Sequence, residues 1–397
     1  MKVIITGITG QDGSHMADYL LKNTKAQVYG LVRQLSVPNH NNIAHLKDNA
    51  RVHLIEGDIT CPHSMSGIVR KIQPDYFINF AANSFVQTSW DNPTQVVETN
   101  EVSVLHQLEA IRRECPTCRY YQAGSSEEFG DVIYSPQDEK HPLRPRSMYG
   151  KSKAGARLTV KVYRESYKLY AVAGWLFNHE GTRRGKQFVT RKITSNIARI
   201  KKELDAGITN PKPFLLGNLD ARRDWSDAED FVDGVWRMLN QEDYRPELKA
   251  AMYHSKGQLI LPFDEKTRNT EILSALVKDY VLSSGETHTI NEFIEEAFEA
   301  AGIKVHLLNG TSPMKAPVID SQGLNWDHRL DQWCYQRKDK RGTFVPLVQV
   351  DDNLFRPNEV NLLQGNSTLA REELGWKPQT SFRDLVKKMV EFDIKTT

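Results

Sequence analysis

The chain begins Met-Lys-Val-Ile-Ile-Thr-Gly-Ile-Thr-Gly-Gln-Asp-Gly-Ser at residues 1–14. Lys2–Thr6 is suited to a buried strand, and Asp12–Lys22 carries apolar side chains at helical spacing. Gly7 and Gly10 lie between the strand and the helix, and Gly13 lies in the first turn of the helix. A strand that turns tightly into a helix through such glycines points backbone N–H groups and the helix N-terminus at a phosphate. The segment therefore predicts the phosphate loop of a dinucleotide-binding sheet, with a tight turn that binds no ligand as the alternative.

Short apolar runs alternate with longer amphipathic ones through the first half of the chain. Further strands are predicted at Gln27–Arg33, Val52–Gly57, Tyr76–Ala82, Tyr120–Gly124 and Ala171–Phe177. Further helices are predicted at Glu98–Arg112, Tyr149–Tyr167, Ala228–Leu239, Ile290–Ala301 and Phe382–Phe392. Strands that alternate with helices favour an α/β fold, here a Rossmann-type doubly wound parallel sheet with helices on both faces.

The pattern weakens after about residue 180, which suggests two domains. We expect residues 1–180 to form the nucleotide-binding domain, with its sheet completed by segments of 214–240 and 280–290. Residues 181–397 are expected to form mainly a smaller, discontinuous substrate-binding domain. Two stretches, near 241–278 and 309–350, resist assignment and are longer than ordinary connections, so we interpret them as insertions or as loops that cover the substrate.

Composition excludes several classes of function. Lys and Arg number 52 against 50 Asp and Glu, without the basic excess of a nucleic-acid binder. No apolar run is long enough to span a membrane, and the apolar N-terminal run is too short for a signal peptide, so a cytoplasmic protein is expected. Cys115 and Cys118 form a Cys-x-x-Cys pair, but no second pair accompanies them, and no metal site is expected.

The ends of the second and third predicted strands bear on the choice of cofactor. Arg33 ends the second strand, and an arginine there suits the 2′-phosphate of NADP, so NADP is favoured over NAD. A surface arginine without a ligand is the alternative. Asp58 follows the third strand, where it is placed to meet an adenine or, alternatively, to cap a helix.

Two groups of residues suggest catalysis. Tyr149 and Lys153 are four residues apart and share one face of a predicted helix. An ammonium beside a tyrosine favours the phenolate, which can then take a proton from an alcohol as hydride leaves. The second group is Ser125-Ser126-Glu127-Glu128, directly after the fifth predicted strand. Charged residues at a buried strand end indicate a binding site, but both glutamates are candidates for the chemistry.

Together these motifs resemble the extended short-chain dehydrogenases/reductases that act on nucleotide sugars, and within them the GDP-mannose 4,6-dehydratase family. The resemblance covers nearly the whole chain except the two unassigned stretches. The segments that carry it are Thr6–Gly13, Ser126–Gly130, Phe177–Glu180, Arg183–Gly185, Phe188–Ile193, Gly217–Trp225, Gly285–His288, Phe355–Val360 and Leu374–Pro378.

The resemblance implies a lyase with an internal redox cycle. Tyr149 would remove the C4 hydroxyl proton as hydride passes from C4 to NADP⁺, with Lys153 beside it. Ser125 would hydrogen-bond the C4 oxygen, and Glu127 would remove the proton at C5 before water leaves from C6 and the hydride returns there. Glu128 stands where the family usually has an apolar residue. Because successive strand residues point to opposite faces, we expect Glu128 to point away from the sugar.

The resemblance also implies the residues that bind the two ligands. Those for the cofactor are Gly7, Thr9, Gly10, Gln11, Asp12, Gly13, Arg33, Asp58, Ile59, Phe80, Ala81, Ala82, Ser84, Tyr149, Lys153, His179 and Arg184. Those for the GDP-sugar are Ser84, Ser125, Asn178, Lys192, Arg223, Arg356 and Glu359. Family members assemble through the helices near 98–112 and 149–167, so a homodimer or homotetramer is expected.

Three alternatives remain open. The same chemistry can act on another GDP-sugar, such as a GDP-heptose. A nucleotide-sugar 4-epimerase shares the glycine loop and the Tyr149–Lys153 pair, but it has no need of a base at C5. A protein that only binds the sugar nucleotide is disfavoured, because Tyr149, Lys153 and Glu127 are all present.

Overall fold

The computed structural model describes residues 1–37, 39–254, 265–308, 319–320, 323–324, 332–336, 343–354 and 362–397. The chain divides into two compact units, each discontinuous in sequence. The first consists of Met1–His179, Asp224–Glu286 and Leu363–Gln379, and the second of Glu180–Arg223, Thr287–Leu362 and Thr380–Thr397.

The strands, in chain order, are β1 (Lys2–Thr6), β2 (Gln27–Val32), β3 (Val52–Glu56), β4 (Tyr76–Asn79), β5 (Arg119–Ala123), β6 (Ala171–Leu176), β7 (Asn178–Glu180), β8 (Phe214–Leu216), β9 (Arg222–Arg223), β10 (Trp225–Asp227), β11 (Tyr280–Leu282), β12 (His288–Thr289), β13 (His306–Leu308), β14 (Ile319–Asp320), β15 (Gly323–Leu324), β16 (Gln332–Gln336), β17 (Phe344–Val350) and β18 (Leu362–Leu363). Six of them, β1 to β6, coincide with the predicted strands to within three residues at each end. The strand predictions for the first half are therefore confirmed.

The α-helices, in chain order, are α1 (Gln11–Asn23), α2 (Pro62–Ile72), α3 (Thr88–Asp91), α4 (Pro93–Val97), α5 (Ser103–Glu114), α6 (Met148–Tyr167), α7 (Val189–Asp205), α8 (Ala228–Leu239), α9 (Pro246–His254), α10 (Glu265–Ser274), α11 (Ile290–Ala300), α12 (Thr368–Leu374) and α13 (Phe382–Thr396). A π-helical turn at Glu98–Val102 precedes α5, where one continuous helix had been predicted. No helix in the described part of the chain is long and apolar enough to cross a membrane.

The first unit contains a seven-stranded parallel sheet in the order β11-β6-β5-β4-β1-β2-β3. Side chains alternate between its faces: Val3 and Ile5 pack with Met16 of α1, whereas Ile4 packs on the other face with Phe77. All five side chains are essentially inaccessible to solvent. Helices therefore cover both faces, as the Rossmann-type prediction requires, and the fold class is confirmed.

Strand order reverses between β1 and β4, and this point sets the position of the site. β1 pairs in parallel with β2 on one side and with β4 on the other, so that Thr6 lies opposite Asn79. Asn79 in turn lies opposite Gln122 of β5. In open α/β sheets ligands bind outside the carboxyl ends of the strands at such a reversal.

The expected domain boundaries need correction. The first segment of the first unit ends at His179, but Asp224–Glu286 and Leu363–Gln379 return to that unit. They return because their apolar side chains, among them Phe231, Leu282 and Trp376, are buried in the core on one face of the sheet. Segment 280–290 supplies β11, as expected, whereas 214–240 contributes no strand to this sheet.

The stretch near 241–278 also differs from the prediction. It contains α9 and α10 within the first unit, with 255–264 outside the described residues. Their buried side chains include Leu248 and Leu273 but few other large apolar residues, so the amphipathic pattern is too weak to detect from sequence. The stretch 309–350 supplies β14 to β17, and its other residues lie outside the described part except for Thr343.

The second unit is built around a four-stranded sheet in the order β13-β16-β17-β8. α7 and α13 also belong to this unit, and they are joined by a buried ion pair in which the Arg191 guanidinium lies 2.6 Å from the Asp393 carboxylate. Thr194 donates a hydrogen bond to the same carboxylate at 2.7 Å. These contacts fix α7, the helix that carries Lys192.

Candidate active site

The glycine loop follows β1 with the geometry that a phosphate loop needs. Gly7 has a φ of +69°, and a Cβ there would lie 2.8 Å from the backbone nitrogen of Ala81. A Cβ at Gly13 would lie 2.3 Å from the carbonyl oxygen of Gly7. Gly10 is the N-cap of α1, and no side chain caps that end of the helix. The first N–H groups of α1 are therefore available to an anion.

Hydrogen-bonded polar side chains lie beside this loop. Gln11 donates from Nε2 to the carbonyl oxygen of His179 at 3.0 Å and to the Asp12 carboxylate at 3.1 Å. Nε2 of His179 lies 2.9 Å from the other oxygen of Asp12, and its ring stacks on Phe231. The Oε1 atom of Gln11 is buried and has no partner among the described residues. The loop thus offers a free acceptor beside the helix N-terminus, and Thr9 accepts a hydrogen bond at its carbonyl oxygen from Asn42.

The strand ends next to the loop hold the other residues predicted to bind the cofactor. Arg33 and Asp58 are exposed, and Ile59 is buried. The pKa of the Asp58 carboxyl is lowered, first by the hydrogen bond from the Thr60 backbone and also by the nearby charge of Arg33. Asp58 does not cap α2, because Cys61 occupies the N-cap position. Asp58 instead holds a turn with Thr60, and Arg33 lies close enough to influence it electrostatically.

The loop after β4 packs directly against the glycine loop. The Ala81 N–H donates to the Thr6 hydroxyl at 3.2 Å, and the Phe80 N–H donates to the Thr6 carbonyl at 3.3 Å. Ala82 is half-buried and Ser84 is exposed. These contacts bring the segment from residue 80 to residue 84 to the same edge of the sheet as Gly7.

The segment after β5 forms a 3₁₀ turn at Ser126–Glu128, where the strand phase had been expected to continue. Ser125 begins the turn: its hydroxyl accepts from the Glu127 N–H at 3.2 Å, and its own N–H donates to Glu128 at 2.7 Å. The strand-phase reason for distinguishing the two glutamates was therefore wrong. Their surroundings nevertheless differ, because Glu127 is half-buried and Glu128 is fully buried against Arg157.

Tyr149 and Lys153 lie in the first turns of α6, against the end of β5. Ser147 caps the helix by accepting the Gly150 N–H at 3.0 Å. A Cβ at Gly150 would lie 2.5 Å from the carbonyl oxygen of Glu127, so the helix and the 3₁₀ turn pack without a gap. Both Tyr149 and Lys153 are buried, and the ammonium lies 5.9 Å from the centre of the tyrosine ring.

The Lys153 ammonium is held at the strand end by a hydrogen bond to the carbonyl oxygen of Ala123 at 2.8 Å. Burial lowers the pKa of this lysine from 10.5 to about 8, and the charge of Arg157 acts in the same direction. The carboxylates of Glu128 and Asp12 oppose that effect. An amine whose pKa lies near the operating pH, within reach of a buried tyrosine, is a typical component of proton-transfer sites.

The residues predicted to bind the sugar nucleotide fall into three groups. Asn178 belongs to the first unit and is half-buried at the start of β7. Lys192 and Arg223 belong to the second unit, as does Arg184, which is predicted to bind the cofactor. Arg184 pairs with Glu180 at 3.0 Å, and burial lowers the pKa of the Lys192 amine while Asp351 raises it. Arg356 and Glu359 lie outside the described residues.

Comparison with known proteins gives a consistent result. A family model described as GDP-mannose 4,6 dehydratase matches residues 4–255 and 270–389. The chain belongs to this family. The GDP-mannose 4,6 dehydratase of Drosophila melanogaster is 35% identical over 405 residues, covering 99% of this chain and 86% of the relative. The GDP-mannose 4,6-dehydratase of Vibrio cholerae is 34% identical over 406 residues, covering 99% and 93%. The family resemblance drawn from the sequence is thus confirmed.

Solved structures with the same fold are more distant in sequence. The dTDP-glucose 4,6-dehydratase of Bacillus anthracis in complex with NAD gives a TM-score of 0.68 at 17% identity, covering 100% of this chain and 97% of the other. RMD of Pseudomonas aeruginosa complexed with NADPH gives 0.68 at 18% identity, covering 100% and 99%. At these identities the likeness supports the fold of this GDP-mannose 4,6-dehydratase family member.

The strand ends of this GDP-mannose 4,6-dehydratase family member also hold a buried polar group that the sequence pattern did not predict. Asn79 accepts from Thr6 and donates to Gln122 at 2.7 Å, and Tyr120 donates to the same Gln122 oxygen at 2.9 Å. All four side chains are buried. Asn79 is the last residue of the otherwise apolar strand β4, and this polar residue is the signal in the sequence that could have indicated the buried group. Arg157 was also missed, although it lies four residues after Lys153 and so shares its helical face.

Proposed function

We propose that this chain converts GDP-mannose to GDP-4-keto-6-deoxymannose with a bound NADP. The observation that carries the proposal is the convergence of Ser125, Glu127, Tyr149 and Lys153 at the carboxyl end of β5, beside the glycine loop. A hydroxyl, a carboxylate and a tyrosine–lysine pair are the groups that this dehydration requires.

The residues of the glycine loop fit a nicotinamide dinucleotide. The uncapped start of α1 suits a pyrophosphate, and Gln11 Oε1 suits a ribose hydroxyl. The absence of a side chain at Gly7 lets the backbone of Ala81 pack against the turn. Arg33 would pair with a 2′-phosphate and Asp58 would lie near the adenine, which favours NADP over NAD. The chemistry that the cofactor supplies when bound is reversible hydride transfer, from C4 of the sugar at the start and to C6 at the end.

Tyr149 is assigned the proton transfers at the C4 hydroxyl and Lys153 their support. The buried ammonium of Lys153 favours the phenolate form of Tyr149, which accepts the hydroxyl proton as C4 is oxidised to a ketone. The Ser125 hydroxyl, fixed at the start of the 3₁₀ turn, donates a hydrogen bond to the same sugar oxygen. The proton held by Tyr149 returns to the sugar at C5 in the last step.

Glu127 is assigned the elimination. The C4 ketone acidifies the C5 proton, the Glu127 carboxylate removes it, and the C6 hydroxyl leaves with that proton as water. Hydride then reaches C6 and a proton reaches C5, so the product differs from the substrate by one water and the cofactor is unchanged. A 4-epimerase needs no base at C5, and the half-buried Glu127 beside Tyr149 therefore favours the dehydratase.

Lys192 and Arg223 are assigned to the pyrophosphate of the sugar nucleotide, for which guanidinium and ammonium groups are suited. Asn178, Ser84 and, by family resemblance, Arg356 and Glu359 complete the set. A GDP-heptose is the second candidate substrate, because the same groups would carry out the same chemistry at its C4, C5 and C6.

The chain is also proposed to assemble as a homodimer or homotetramer in the cytoplasm. Leu105 of α5 and Leu158 and Val162 of α6 are 45%, 55% and 52% exposed, respectively. Exposed apolar side chains on two helices that pack together suit a subunit contact. Replacing Leu158 and Val162 with glutamate should release monomers in sedimentation velocity, and an unchanged mass would refute assembly through this face.

Mass spectrometry of the sugar nucleotide tests the activity. Incubation of the protein with GDP-mannose and NADP⁺ should give a product lighter by one water, with no net formation of NADPH. Parallel reactions contain NAD⁺, other GDP-hexoses and a GDP-heptose. Loss of water from none of them would refute the dehydratase, and interconversion without a change of mass would favour an epimerase.

A further inference from the structure

Glu128, predicted to point away from the sugar, forms a buried ion pair next to the residues assigned to catalysis. Its carboxylate lies 2.5 Å from Nε of Arg157, and the two side chains are 0% and 5% exposed. A buried charge without a partner is strongly unfavourable, so this pair must act as one element.

Arg157 is held firmly on its other sides. Its guanidinium donates to the carbonyl oxygens of Ala173 and Gly174 at 3.0 and 2.9 Å. Its Cζ atom lies 3.4 Å from the centre of the Trp175 ring, and its Nη1 atom lies 3.5 Å from the Asp279 carboxylate. These contacts therefore fix the position of the guanidinium against β6.

Glu128 links the fixed guanidinium to the 3₁₀ turn through a hydrogen bond. Its Oε1 accepts the N–H of Ser125 at 2.7 Å, as part of a capping box in which the Ser125 side chain bonds back to the turn. A Cβ at Gly124 would lie 2.5 Å from both this oxygen and Nη2 of Arg157. The backbone just before Ser125 thus packs directly on the ion pair.

We propose that Glu128 and Arg157 are positioning residues that fix the Ser125–Glu127 segment for removal of the C5 proton. The proposal rests on the proposed dehydratase function. Neither residue touches the reacting atoms: Arg157 orients Glu128, Glu128 fixes the backbone of Ser125, and the turn that follows sets the direction of Glu127. Loss of the pair should displace the carboxylate while leaving Tyr149 and Lys153 on α6.

The decisive variant is the double substitution Glu128→Leu with Arg157→Leu, which leaves no unpaired buried charge and so is expected to fold. A displacement of about 1 Å at a reacting group costs on the order of 100-fold in rate, so kcat should fall by about 100-fold with little change in KM. Glu128→Gln keeps an oxygen that accepts the Ser125 N–H, and it should stay within about tenfold of the parent, the loss of one hydrogen bond's net contribution.

Isotope effects separate positioning from a general loss of structure. With GDP-mannose deuterated at C5, the double variant should show a larger isotope effect on kcat than the parent, because proton removal has become slower. With deuterium at C4 the effect should not rise. The matched control removes Arg119 and Glu242, a pair 2.5 Å apart at the opposite end of β5, with the same two leucine substitutions. This control should lower the melting temperature without changing either isotope effect.

Amide hydrogen exchange of Ser125 provides a readout that does not depend on activity. Protection should be lost in the double variant and retained in Glu128→Gln. A double variant with kcat within threefold of the parent, with unchanged Ser125 protection, or with a slower rate but no rise in the C5 isotope effect would overturn the proposal. If the parent dehydrates no GDP-sugar, the proposed function fails, and Ser125 exchange still decides whether the pair fixes this segment.

Discussion

Replacing Lys153 with methionine should abolish activity and yet stabilise the protein. The pKa of Lys153 falls from 10.5 to about 8, mainly because of burial. At 1.36 kcal/mol for each pH unit, the charged lysine disfavours folding by about 3 kcal/mol near neutral pH. Methionine fills similar space without a charge. It loses the hydrogen bond to Ala123, but Gln122 still donates to that carbonyl oxygen at 3.0 Å. We therefore expect Lys153→Met to raise the free energy of unfolding by about 2 kcal/mol.

The pH dependence makes this prediction specific. A lysine whose pKa is depressed in the folded state destabilises that state by the full amount below about pH 8, because the lysine is protonated in both the folded and the unfolded state there. The effect declines as the pH rises and vanishes above the unfolded pKa of about 10.4. The advantage of Lys153→Met over the parent should therefore be largest near neutral pH and should disappear in strongly alkaline solution.

Urea denaturation of both proteins at a series of pH values measures the difference directly. Lys151→Met is the matched control: Lys151 lies on the same helix, is 50% exposed and pairs with Glu101 at the surface. Its substitution should change the free energy of unfolding by less than about 1 kcal/mol. A Lys153→Met variant that is less stable than the parent near neutral pH, or an advantage that does not shrink with rising pH, would refute the assignment of Lys153 as a buried, strained cation.

Three further predictions follow from the same site. Glu127→Gln should lower kcat by about 10²- to 10⁴-fold, the usual contribution of a general base, whereas Glu128→Gln should stay within about tenfold of the parent. The reverse ranking in the mass assay would overturn the assignment of Glu127. Arg33→Ser should lower kcat/KM with NADP⁺ by about 10- to 100-fold and leave the value with NAD⁺ nearly unchanged, and equal losses with both would exclude a role at the 2′-phosphate. Gly13→Ala should weaken cofactor binding and destabilise the folded protein by about 1–3 kcal/mol, because the new Cβ meets the Gly7 carbonyl. Gly67→Ala in α2 is the control: the position has open space around it, and the folded protein should gain up to about 1 kcal/mol of stability. Calorimetric titration with NADP⁺ and thermal unfolding compare the two variants.

The sequence was sufficient for the parts of the fold that rest on local pattern. Strand β1, the glycines and α1 were predictable because a buried strand, a turn with positive φ and an amphipathic helix each leave a local signal. The same holds for the helical spacing of Tyr149 and Lys153. These features lie close together in sequence, so their geometry follows from backbone rules alone.

The contacts that distinguish the two glutamates could not be predicted in this way. Glu128 pairs with Arg157, which lies on α6 and is separated from it by 29 positions in the sequence. Strand alternation predicted opposite faces for neighbouring residues, but the chain leaves the strand after Ala123 and enters a 3₁₀ turn. A serine followed by two acidic residues is compatible with a capped turn. Only tertiary structure shows which carboxylate is buried.

The charges at the end of β5 argue for function on energetic grounds. A buried ammonium at Lys153 and a buried Glu128–Arg157 pair both carry desolvation penalties, and well-packed apolar residues in their place are often more stable. β5 is otherwise a buried strand, and a leucine at its end would pack well there. The three charges are instead connected: Glu128 raises the pKa of Lys153 and Arg157 lowers it. An ion pair that fixes the backbone of Ser125 thus also adjusts the charge of the lysine beside Tyr149. Removing the pair as a unit should therefore slow proton removal at C5 and also move the alkaline limb of the pH–rate profile to lower pH, because Glu128 raises the pKa of Lys153 more than Arg157 lowers it.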